Sequence, residues 1–194
     1  NNADSTVYDI SDLNFKIVGV LTITVPNGGE RWTVGTNHDI TWTVVGSIAD
    51  VKLEYSSDGG SSYTTIISST PAGALSFTWS VPDAVSKQAL IRISDATDAS
   101  VFDTSDNYFI IQAGFTITSP NGGEVWIVDS THDITWDTVG SVSTVVLEYS
   151  TDGGSNFPYV ITSSTLNSGS FSWVIPDTIS SQVRVKVSDY NDPE

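Results

Sequence analysis

The sequence predicts an all-β protein made of two tandem β-sandwiches related by a 94-residue repeat. Three observations predict this: a strict internal repeat, short runs in which apolar and polar residues alternate, and turn residues between those runs. The repeat is plainest at Pro26-Asn27-Gly28-Gly29-Glu30, which recurs at Pro120-Asn121-Gly122-Gly123-Glu124, an offset of 120 − 26 = 94 residues. Trp32, Trp42 and Trp79 recur as Trp126, Trp136 and Trp173, and Asp58-Gly59-Gly60 recurs as Asp152-Gly153-Gly154. No insertion or deletion interrupts the match.

The same offset extends backwards. Asp9, Ser11, Asp12, Phe15 and Ile17 match Asp103, Ser105, Asp106, Phe109 and Ile111. Residues 1–17 therefore read as the orphan final strand of a preceding repeat, and residues 18–111 as one complete sandwich. Residues 112–194 read as a second sandwich lacking its final strand.

Within a repeat, the first strand is Leu21 to Val25, ended by Pro26, after which Asn27-Gly28-Gly29 allows the positive φ of a tight turn. Further strands are expected near 30–34, 38–44, 51–57, 62–68, 74–81, 88–94 and 106–111, with Asp58-Gly59-Gly60 as a hairpin turn. Seven or eight short strands in 94 residues, with no helical periodicity, is the pattern of an immunoglobulin-like sandwich. Side chains two apart share a strand face. Ile40 with Trp42, Trp32 with Val34, and Phe77 with Trp79 and Val81 pair in this way, so the tryptophans belong to the core.

Composition narrows the function classes. The net charge is −16, and the seven Lys and Arg residues are scattered, which argues against nucleic-acid binding. No apolar run reaches the roughly 18 residues of a membrane helix, so membrane insertion is not expected. The chain has no cysteine, which does not exclude an extracellular location. It begins Asn1-Asn2-Ala3-Asp4 and contains no Met, so it reads as a mature piece of a longer precursor.

Pro-Asn-Gly-Gly-Glu-x-Trp at 26–32, Ile40-Thr41-Trp42, Leu53-Glu54-Tyr55-Ser56-x-Asp58-Gly59-Gly60, and Trp79 followed by Pro82-Asp83 together resemble the Ser/Thr-rich, Kre9/Knh1-like repeat domain. The resemblance covers nearly the whole chain. It implies an immunoglobulin- or fibronectin-III-like tandem domain of microbial surface proteins, extracellular and wall-associated or adhesive in role. It implies no catalytic residues.

The residues themselves offer little for catalysis. His38 and His132 are repeat equivalents, each followed by Asp (Asp39 and Asp133), and neighbours on a strand point to opposite faces. There is no G-x-S-x-G elbow, and an enzyme is not expected. No cofactor is required, but calcium is a candidate ligand. Asp95, Asp98, Asp103 and Asp106 cluster between the last two strands, and Asp189 and Asp192 with Asp9 and Asp12 are their counterparts across the break. Their spacing does not match an EF-hand, and the alternative is a solvated acidic loop guarding a sheet edge. Tyr63, Phe157 and Tyr159, beside the hairpins, are the candidate aromatics for a ligand such as cell-wall polysaccharide.

The phase of the repeat predicts self-assembly. A sandwich without its last strand exposes an unpaired edge and a slot in its core. Leu13, Phe15 and Ile17 alternate onto one face, so residues of about 6–17 are expected to complete the second sandwich of another copy. Such contacts are head-to-tail and generate a homopolymer. The equivalent alternative is a window of one covalent repeat array. The rival from another class is a carbohydrate-binding or adhesin module of a larger wall-associated protein.

Overall fold

The structure is a computed structural model that describes residues 8–193. Its first half contains β1 (Val20–Val25), β2 (Arg31–Thr33), β3 (Asn37–Val45), β4 (Asp50–Ser56), β5 (Thr64–Pro71), β6 (Ser76–Ser80), β7 (Ser86–Asp95), β8 (Phe102–Thr104) and β9 (Phe109–Gln112). The second half contains β10 (Gly114–Ser119), β11 (Thr131–Val139), β12 (Thr144–Ser150), β13 (Tyr159–Leu166), β14 (Ser170–Val174) and β15 (Arg184–Asp189). Among the described residues no helix is long and apolar enough to cross a membrane.

In the first half a sheet of order β1-β3-β6 faces a sheet of order β2-β9-β7-β4-β5, with β8 paired to β7. Between them lies a core that includes Ile23, Trp42, Leu53, Ile91, Ile93, Phe109 and Ile111, all almost fully buried. The second half repeats this with sheets β10-β11-β14 and β13-β12-β15 around Ile134, Trp136, Val145, Leu147 and Trp173. The ladders repeat down to their irregularities. Ile23 pairs with Trp42 and Ile117 with Trp136, and each ladder then slips by a residue on the way to Val25 and Ser119.

The alternation read from the sequence accounts for the facing. Along β3, Ile40 and Trp42 are buried while Asp39, Thr41 and Thr43 lie outward or at the margin. The Trp42 indole donates to the Ala72 carbonyl at 2.9 Å, which removes the cost of burying its N–H. In the second half Asn167 takes over this role, accepting from Trp136 at 2.7 Å and donating to the Val142 carbonyl at 2.9 Å.

One strand lies outside the expected set. Residues 102–104, expected within a loop, form β8, giving the first half nine strands. Phe102-Asp103-Thr104 has no apolar alternation, and Phe102 is exposed. It is a strand because it pairs with Arg92, Ile93 and Ser94, an instance of tertiary pairing overriding local pattern.

The two halves meet at a polar joint. Asp83 accepts from the backbone N–H and the hydroxyl of Ser141 at 2.7 and 2.5 Å. Asp192 sits between Arg31 at 2.5 Å and Lys87 at 3.0 Å. Burial pushes the Asp192 carboxyl up, but hydrogen bonds and charge from Lys87 and Arg31 outweigh it and hold the group below its ordinary range.

Candidate assembly groove and its strand

The repeat gives the same sandwich twice among the described residues, once with β8 and β9 and once without them. In the first half β9 lies between two strands, parallel to β2 (Arg31 opposite Ile110, Trp32 opposite Ile111) and antiparallel to β7 (Ala89 opposite Phe109). Phe109 and Ile111 fill the core and are fully buried. The segment leading into β9 is fastened by side chains. Asp103 accepts the Ile23 N–H at 2.7 Å. The Ser105 hydroxyl donates to the Pro26 carbonyl at 2.7 Å and accepts the Ile91 N–H at 3.1 Å. Asp106 and Asn27 exchange two hydrogen bonds, at 2.7 and 2.8 Å.

Among the described residues the second half has no counterpart of β8 or β9, and the positions they would touch are altered in step. Residues 125–127, counterparts of β2, are not a strand. β15 begins at Arg184, although the counterpart of the first residue of β7 is Ser180. Trp32 is buried but Trp126 is half-buried, and Ile179, counterpart of half-buried Val85, is 91% exposed. Gly28 packs so closely on Asn107 that an added Cβ would lie 2.4 Å from the Asn107 Cβ, whereas nothing lies within 4 Å of the same point on Gly122. The result is a groove of about 980 Å³ whose lining includes Trp126, Tyr149, Trp173, Ile175 and Val185.

Among the described residues, 8–17 pair with no strand. Leu13, Phe15 and Ile17 are exposed, the last two by 78% and 87%. Their counterparts sharpen the predicted set. Phe15 and Ile17 correspond to the buried Phe109 and Ile111, but Leu13 corresponds to Asn107, which is exposed. By the repeat, position 13 aligns with an exposed position and positions 15 and 17 with buried ones. Residues 6 and 7 of the expected strand lie outside the described residues.

Most of the candidate calcium carboxylates already accept hydrogen bonds within the chain. Asp95 accepts from the Thr97 N–H and hydroxyl, both at 2.8 Å, and Asp98 meets Lys16 and Ser100. Asp103 and Asp106 hold the lead-in to β9, Asp189 accepts the Asn191 N–H at 2.9 Å, and Asp192 is in the joint. Asp9 and Asp12 are exposed. Among the described residues no three such groups converge on one point.

The candidate ligand aromatics each have a neighbour against the ring. The Arg92 guanidinium lies 3.9 Å from the Tyr63 ring centre, and Arg92 also forms an ion pair with Glu54 at 2.7 Å. Phe157 lies beneath Lys186, and Tyr159 stacks on Tyr149 at 4.8 Å. Tyr63 stands on a different half from Phe157 and Tyr159, so the three make no common platform. His38 and His132 stack on Trp32 and Trp126 at 4.6 Å and bond to Thr36 and Ser130. Sequence spacing alone does not reveal these lids, because a cation reaching over a ring comes from a different strand.

The hairpin aspartates have a structural role with a measurable pH dependence. Asp58 accepts from the Ser62 hydroxyl at 2.6 Å, the Ser62 N–H at 2.9 Å and the Ser56 hydroxyl at 2.7 Å. These bonds hold its carboxyl at about 2, and a similar set around Asp152 depresses that group further. A folded value below the unfolded one gives stability that is complete above about pH 4 and lost as pH falls through about 2. Replacing Asp58 with Asn is expected to flatten the fall in melting temperature between about pH 4 and pH 2, followed by circular dichroism. An unchanged acid limb contradicts this role.

Comparison with known proteins adds little. No family model matches the chain, and no curated protein matches it. A solved structure of the fibronectin(III)-like modules of CbhA from Clostridium thermocellum is similar over 89% of this chain and 87% of that one. The identity is 16% and the TM-score 0.31.

Proposed function

We propose that the chain is a structural segment of an extracellular surface filament or stalk, joined head-to-tail by strand completion. Residues of about 6–17 of one copy enter the groove of the second sandwich of another, in the place that β9 and its lead-in occupy in the first. The observation that supports this is the internal comparison. The half with β9 has that strand paired into its sheet, and the half without it has an open groove.

Residues 9–17 retain the groups that such an insertion uses. Asp9 aligns with Asp103 for the Ile117 N–H, Ser11 with Ser105 for the Pro120 carbonyl and Val185 N–H, and Asp12 with Asp106 for Asn121. A slip by one residue would turn Phe15 and Ile17 outward and break all these bonds, so the register is specified twice. Burying Phe15 and Ile17 contributes about 1.5–3 kcal/mol each. The acidic composition suits a surface location by opposing nonspecific association. The resemblance to tandem wall-protein domains supports the same non-catalytic reading.

A covalent array of repeats would give the same local geometry. Intact mass of the native polymer under denaturing conditions distinguishes the two. Material that dissociates to short chains, each carrying one groove and one spare segment, is the expected result. A much longer chain overturns subunit exchange.

A further inference from the structure

From the joint within the chain we infer the joint between chains. We propose that the end of the first sandwich bearing Gly46, Ser47 and Asp98 docks on the end of the second sandwich of another copy bearing Asp177, so that every sandwich follows its predecessor in one orientation. This rests on the strand completion proposed above and adds a second, independent surface to it.

The repeat maps one joint onto the other residue by residue. Within the chain, Asp83 of the first sandwich receives two hydrogen bonds from Ser141 of the second, and Gly140 approaches Val34 and Ala113. The counterparts are Asp177 on the groove-bearing sandwich and Ser47, Gly46 and Gly19 on the first. Half of this second joint is already in place. A Cβ on Gly46 would lie 3.1 Å from Gly19, much as one on Gly140 would lie 3.3 Å from Ala113. A matching Asp–Ser clasp needs only the second body.

The charges differ between the two joints. Asp192 draws its cations from Arg31 and Lys87, on the body of the preceding sandwich. Its counterpart Asp98 would face Val125 and Ser181, the counterparts of Arg31 and Lys87, and neither is charged. The cation on Asp98 is instead Lys16. Lys16 occupies the position of Ile110, which with Asp192 lines the cleft between the two halves. So residue 16 already stands over the first sandwich as residue 110 stands over the second. Lys16 turns towards the joint while Phe15 and Ile17, on the opposite face of the strand, are left for the groove. The exposed Ile127 and Val20, counterparts of Thr33 and Gly114, would close the contact with apolar surface.

The test uses the full chain, which has no native cysteine. The double variant Asp177→Cys with Ser47→Cys is assembled and treated with a short thiol-reactive crosslinker. Asp83→Cys with Ser141→Cys, expected to link within one chain at the single-chain mass, calibrates the reach. The expected result for the first pair is a ladder at integer multiples of the single-chain mass, reduced several-fold by the further change Lys16→Glu. Strand insertion is followed separately, by hydrogen exchange of residues 8–17. If those amides are protected but no ladder forms, the joint is overturned and strand completion stands. If they exchange freely and no ladder forms, strand completion itself fails, and the joint with it.

Discussion

A chain lacking residues 1–17 is expected to remain monomeric at concentrations where the full chain polymerises, as measured by sedimentation velocity. The truncation removes Phe15 and Ile17, which have no partners inside the chain to lose, since both are exposed and outside every sheet. The first sandwich should therefore keep its melting temperature, apart from the surface contact between Lys16 and Asp98. Exposed ion pairs of this kind are worth about 0–1 kcal/mol. A milder version is Phe15→Asp, which places a charge where the fully buried Phe109 stands in the first half. A buried, unpaired carboxylate costs several kcal/mol, enough to weaken association by orders of magnitude. Polymerisation of either variant at the unaltered rate would sink the strand-completion reading.

The converse experiment should stabilise the protein. Residue 195 would occupy the repeat position of residue 101, so a copy of residues 101–112 appended after Glu194 keeps the 94-residue phase. The added strand brings a Phe and an Ile into the groove, worth about 3–6 kcal/mol before the cost of ordering the segment. Each net kcal/mol raises the melting temperature of a domain this small by about 4–8 °C. Trp126 should move from half-buried to buried, giving a blue shift in fluorescence. The same extension should stop polymer growth, because the groove is already filled. An unshifted melting curve with unhindered assembly is the result that contradicts the proposal.

The fold was largely legible because it rests on alternation and turn chemistry, both local properties. Ile40 and Trp42, or Val51 and Leu53, declare their face by spacing alone. The phase of the repeat was legible for a different reason, since landmarks 94 residues apart align residues 9–17 with 103–111 without any physics. Long-range chemistry was less visible. Asp103 and Asp106 stand among the candidate calcium carboxylates in one dimension, and in space they also bond to Ile23 of β1 and to Asn27 of the turn after it. Tyr63 looks like an open platform until Arg92 reaches over it from another strand. Leu13 shares a face with Phe15 and Ile17 by periodicity, while its repeat counterpart Asn107 is exposed and packs on Gly28.

The half-buried Trp126 and the unformed strand at residues 125–127 also bear on the lifetime of an unassembled subunit. The local free energy of opening is lowest where apolar contacts and ladder hydrogen bonds are fewest. That places the weak point at the groove, next to chain that a protease can bind once it opens. In the assembly proposed above, filling the groove would remove this weakness in every copy but the one at the growing tip. Turnover would then act on spare subunits and on filament ends, leaving the finished shaft untouched.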